Sequence, residues 1–66
     1  MSSNQIASLQ SRKASLLQRK ANRTRDLISY RQLTGWEYQA SVAERDIADL
    51  DRQVADIERQ IANAMR

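Results

Sequence analysis

Ile47-Ala48-Asp49-Leu50-Asp51-Arg52-Gln53, Val54-Ala55-Asp56-Ile57-Glu58-Arg59-Gln60, Ile61-Ala62-Asn63-Ala64-Met65-Arg66: from residue 47 to residue 66 the chain repeats every seven residues. Ile or Val holds one apolar position of each repeat, and Leu, Ile or Ala holds the other. Such a heptad specifies a helix that has to bury one seam against another helix. The pattern runs back through Ala43, Ala40 and Trp36 at steps of three and four, and before that the register changes. In the first half Ile6, Leu9, Leu16 and Leu27 share one stripe, with Ala7, Ala14, Leu17, Ala21 and Ile28 on an adjacent one. The expected seam, within the molecule and between copies, is therefore Leu9, Leu16, Leu17, Leu27 and Ile28 from the first half. The second half supplies Ile47, Leu50, Val54, Ile57 and Ile61.

A turn is predicted where the two patterns meet. Thr34-Gly35-Trp36-Glu37 fits a capping box, in which the Thr hydroxyl and the Glu carboxylate accept from backbone N–H groups that a helix start leaves unpaired. Leu33 and Tyr38 stand at the positions of a hydrophobic staple, and Gly35 is the only glycine. Ser2 and Gln5 suggest a second capping box at the N-terminus, with Met1 and Ile6 as its staple. Ser41 and Glu44 match the same box by chance, so it is the coincidence of box, staple, glycine and register change that marks the turn. The reading is one domain over residues 1–66: a first helix over about 4–33, a turn at about 33–36 and a second helix over about 36–65.

Composition agrees. The 66 residues include no Pro, no Phe and one Gly, which favours an all-α chain with few interruptions. A core of this size seldom supplies more than about 3 to 5 kcal/mol. With no Cys for a disulfide and no His to complete a zinc site, self-association or a partner is the remaining source of stability. No run approaches the roughly 18 apolar residues of a membrane span, and no basic segment followed by an apolar stretch opens the chain. A cytoplasmic protein with no membrane partner is the expectation.

Charge supports folding back. Residues 1–35 hold seven basic residues and one acid, a net +6; residues 36–66 hold four Arg and seven acids, a net −3. The two halves attract, which disfavours a parallel dimer of one continuous helix. Folding about Gly35 sets Lys13 level with Asp56, Lys20 with Asp49, Arg23 with Asp46 and Arg25 with Glu44. Two unbroken helices exchanged between chains satisfy the same levels, and the turn signals favour the hairpin over them. Because each helix carries a second apolar stripe, the hairpin is expected to pair with a second copy as a homodimeric, coiled-coil-type four-helix bundle.

This outline resembles, in length, topology and heptad pattern, the Rop family of plasmid copy-number proteins. That resemblance implies a dimer of hairpins binding paired RNA loops. No RNA-contact motif of that family can be placed on these residues, and the exposed Phe it uses has no counterpart here. The small hairpin co-chaperones of type III secretion needle subunits are similar in outline as well.

No catalytic, cofactor-binding or metal-ligating set emerges, since no nucleophile stands beside a base and no Glu is followed by His at three-residue spacing. The Asp49/Arg52 and Asp56/Arg59 pairs are expected to close within their own helix. Two surfaces remain. Arg12, Lys13, Arg19, Lys20 and Arg23 fall on one arc, suited either to phosphates and acidic partners or to the acids of the second helix. Pairing within the molecule is the preferred reading. Tyr30, Trp36 and Tyr38, the only aromatics, gather at the tip, where they either close the core or form a partner-binding surface. The function expected is that of a non-catalytic, self-associating structural, assembly or protein-interaction module. The alternatives are a Rop-like nucleic-acid-binding regulator and a small co-chaperone or inhibitor gripping a helical protein.

Overall fold

The computed structural model describes residues 3–66. Two helices, α1 (Ser3–Arg31) and α2 (Glu37–Ala64), pack against each other as an antiparallel hairpin about 50 Å long and 14 Å wide. The capping box proposed for Ser2 and Gln5, with Met1 in its staple, lies outside the described residues.

The seam of α2 follows its heptad: Ala40, Ala43, Ile47, Leu50, Val54, Ile57, Ile61 and Ala64 are all buried or half-buried. In α1 the seam departs from the sequence reading. It runs without a change of register through Ile6, Leu9, Lys13, Leu16, Lys20, Arg23, Leu27 and Tyr30, again at steps of three and four. The apparent break came from three cationic residues at seam positions, whose alkyl stems cover apolar surface while their charges reach the edge. Leu17 and Ile28, which the sequence puts on the adjacent stripe and counts among the residues of a seam within the molecule and between copies, are 43 % and 54 % exposed in the single hairpin.

Those cations divide the core. Towards the chain termini, Leu16, Leu50, Val54 and Ile57 form one buried cluster, with Leu9 and Ile61 packed against it. Towards the turn, Leu27 and Ala43 are buried separately. Between the two groups Lys20 reaches Asp51 at 2.6 Å and Arg23 reaches Asp46 at 2.8 Å. A charged layer that is satisfied in only one alignment penalises slipped pairings, which apolar residues alone would tolerate.

The turn is at Gly35, as the sequence suggests, but its chemistry differs. The last turn of α1 tightens, with Gln32 N–H donating to the Ser29 carbonyl at 3.2 Å and Leu33 N–H to that of Tyr30 at 3.1 Å. These shortened bonds end α1 at Arg31, before the residue 33 read from the pattern. Gly35 then takes φ +87°, a conformation that glycine enters without a Cβ penalty. Helix α2 begins at Glu37 with Trp36 as its N-cap and no side-chain cap. The Thr34 hydroxyl therefore does not cap, and Glu37 instead accepts from the Gly35 N–H at 3.4 Å. With the N-cap two residues later than expected, Leu33 and Tyr38 no longer hold staple positions, and both are exposed.

Candidate interaction faces

The seam has two sides, and the ion pairs identify them. On one side Lys20 meets Asp51 and Arg31 meets Glu44 at 2.7 Å; Glu58 continues that acidic column one heptad on. On the other, Arg23 meets Asp46, and Gln53 and Gln60 continue the column.

The Glu58 side carries the second stripes. Ala48 lies four residues after Glu44 and three before Asp51, so it stands beside them on the helix surface, as Ala55 and Ala62 do one and two heptads later. On α1 the corresponding positions hold Ala7, Ala14, Ala21 and Ile28, with Gln10, Leu17 and Thr24 nearer the seam. All seven are exposed. This part of α1 holds no charge from Ala7 to Leu17 or from Ala21 to Thr24 along the stripe, on a chain in which 29 % of residues are charged.

On the Gln53 side lie shallow polar grooves. One is lined by Arg12, Ser15, Leu16, Arg19 and Gln53, and a second by Gln5, Ser8, Leu9, Arg12 and Gln60. Here the predicted basic arc separates into two groups. Lys20 and Arg23 are engaged by Asp51 and Asp46, and the Arg23 guanidinium is held charged above its ordinary range by hydrogen bonding to Asp26 and then to Asp46, against partial desolvation. Arg12, Lys13 and Arg19 make no ion pair among the described residues. The reason is positional: Arg12 and Arg19 face a column whose residues at their level are glutamines, and the nearby Asp49 and Asp56 are taken by Arg52 and Arg59 within α2.

Of the cross-helix levels read from the sequence, Arg23 with Asp46 is realised. Lys20 selects Asp51 rather than Asp49, and Glu44 is reached by Arg31 rather than Arg25. Level alone did not say which side of each helix faces which partner: Asp49 lines the groove beside Arg19 and Arg23 but pairs with Arg52 of its own helix, and Arg25 is exposed.

At the tip the Tyr30 and Trp36 rings stack with centroids 5.6 Å apart and planes inclined by 11°. Tyr30 is half-buried at the end of the α1 seam, and Trp36, stacked on it, is 42 % exposed. Tyr38 is 75 % exposed and joins neither. Among the described residues no group of three or more acids, His or Cys is placed to hold a metal ion, and no helix is long and apolar enough to cross a membrane. Comparison with protein-family models, with curated proteins and with solved structures found no match to this chain.

Proposed function

We propose that the protein is a non-catalytic, self-associating helical hairpin that serves as a structural or assembly module, its first partner being a further copy of itself. The observation that supports this most directly is the mismatch between the core and the uncovered apolar surface. Among the described residues only Leu16, Leu27, Ala43, Leu50, Val54 and Ile57 are buried in a single hairpin, and a charged layer divides them. Leu17, Ile28 and two alanine columns meanwhile lie in water on one side. A chain of this size with so few buried aliphatics gains stability by covering that side.

The test is light-scattering mass as a function of concentration, with helicity followed by circular dichroism. A mass above one chain, falling with helicity on dilution, is the expected outcome. A fully helical monomer at all concentrations overturns the proposal. Replacing Leu17 by Glu then places the contact: the side chain is exposed in the single hairpin, so the substitution acts on association and leaves the fold.

A second reading rests on Arg12 and Arg19. These two cations line the polar grooves without a carboxylate partner, an arrangement suited to a polyanionic partner such as nucleic acid. The contact would read backbone charge and shape, since nothing beside them offers a pattern of base-specific donors and acceptors.

A further inference from the structure

Two hairpins can be laid face to face about a twofold axis in two ways. With the axis across the rod, α1 lies on α1 and α2 on α2, and the turns point to opposite ends. With the axis along the rod, α1 of each copy lies on α2 of the other, and both turns share one end. We propose the second arrangement: the Glu58 side receives a second copy of this chain, α1 against α2, with the two turns together. This rests on the self-association proposed above and specifies its geometry.

Charge is the first argument. Glu44, Asp51 and Glu58 form one column on this side of α2. Laying α2 on α2 sets that column against itself. Laying it on α1 sets it against a stripe that holds no acid, on the helix whose half of the chain carries +6 against −3. Near the seam the balance is local as well. Lys13, Lys20 and Arg31 are level with the three acids, and Lys20 and Arg31 already contact Asp51 and Glu44. Lys13 and Glu58 repeat the Lys20 and Asp51 relationship one heptad away, yet neither has an ion pair among the described residues of the single hairpin. In the proposed pairing Lys13 of each copy comes to the level of Glu58 in the other.

Shape agrees. Since Lys20 is level with Asp51 and Arg23 with Asp46, Ala7, Ala14 and Ala21 of α1 are level with Ala62, Ala55 and Ala48 of α2. A twofold axis along the rod preserves these levels between copies. Alanine then meets alanine at three successive heptads, which lets the helices approach to about 8 Å, the near limit of helix packing. Ile28 meets the small Ser41. The face runs the full length of the rod, about 50 by 14 Å.

The absence of cysteine makes site-specific probes clean. A nitroxide placed through Gln32→Cys, exposed at the start of the turn, reports the relation of the two ends by electron spin distance measurement alongside light-scattering mass. The expected result is a dimer with one label separation below about 30 Å, given helices spaced about 8 to 10 Å. A dimer with a separation above about 40 Å, which opposite ends impose at 1.5 Å per residue, overturns this arrangement and leaves self-association standing. A monomer overturns both. Mixing Ala21→Cys protein with Ala48→Cys protein under oxidation supplies the second reading. A mixed disulfide is expected; Ala48→Cys linking only to itself overturns the pairing of α1 with α2.

Discussion

Arg23 reaches across the seam to Asp46 at 2.8 Å while another of its terminal nitrogens holds Asp26, three residues on in its own helix, at 3.0 Å. Its Nε is buried and meets no acceptor. One cation at a seam position thus joins two helices and two carboxylates, at the point where the apolar core is interrupted.

Asp46→Ala therefore removes only part of what Arg23 holds, because Asp26 remains. Both side chains are partly solvated, and partly exposed pairs contribute about 0.2 to 1 kcal/mol. The expected loss is at the upper end of that range, a fall of a few degrees in Tm by circular dichroism. Arg23→Leu behaves differently, since it removes the unpaired Nε and joins the two halves of the core. It leaves Tm unchanged or raised, at the expense of the alignment that the charged layer enforces. A Tm loss larger for Arg23→Leu than for Asp46→Ala would show that the layer stabilises the hairpin rather than specifying it.

Ile57 and Ile28 separate core from uncovered stripe. Ile57 is 2 % exposed, and its truncation to Ala should cost about 2 to 5 kcal/mol, enough to unfold a hairpin of this size. Ile28→Ala should change the stability of a single hairpin by no more than about 0.5 kcal/mol. If hairpins associate through that stripe, Ile28→Ala instead raises the concentration at which the dimer dissociates. Denaturant melts at two protein concentrations distinguish the two effects.

The hairpin itself was legible because the α2 heptad is uninterrupted and the sole glycine falls at the turn. What was not legible came from side chains of mixed character. Lys13, Lys20 and Arg23 occupy seam positions that an apolar pattern search passes over, so a continuous α1 heptad looked like a change of register. Spacing would have found it: filling the gaps between Leu9, Leu16 and Leu27 at steps of three and four leads to those three cations and on to Tyr30. The Thr34 capping box failed for another reason. Its residues were present, but the tightened end of α1 and the positive φ of Gly35 moved the start of α2 to Glu37. As for the candidate site, the sequence placed five cations on one arc. Only the side of α2 that each meets decides which are neutralised, and that depends on helix rotation.

Gly35→Ala tests the turn by backbone conformation alone. A Cβ there would meet nothing within 4 Å, so crowding plays no part. Holding a non-glycine residue at φ +87° costs on the order of 1 to 2 kcal/mol. The same substitution raises helix propensity by about 1 kcal/mol, which favours running straight through the turn. Both effects act against the hairpin and towards exchanged, unbroken helices. The expected outcome is a lower Tm together with a longer particle by small-angle scattering.

Trp36 is the only tryptophan, so its fluorescence reports the tip without interference. Stacked on Tyr30 it is shielded on one face, and Tyr30→Ala should shift its emission to longer wavelength and lower stability by roughly 0.5 to 1.5 kcal/mol beyond the lost area. Tyr38→Ala, at an exposed position outside the stack, should leave both unchanged. Equal effects of the two substitutions would mean that the tip is organised by more than this one stack.

Arg12 and Arg19 provide the last separation. Reversing both to Glu leaves every ion pair of the hairpin in place, whereas reversing Lys20 breaks its contact with Asp51. Helicity and oligomer mass should therefore survive Arg12→Glu with Arg19→Glu. If a polyanion binds the polar grooves, affinity for a short nucleic-acid duplex falls steeply in this variant, and the dependence of log affinity on log salt becomes shallower by about two phosphate contacts, close to 2 units of slope. If the wild-type protein shows no salt-dependent binding, the two arginines are solvated surface charges and the nucleic-acid reading is lost. The proposal of self-association does not depend on that result, because the Glu58 side and the Gln53 side lie on opposite faces of the rod.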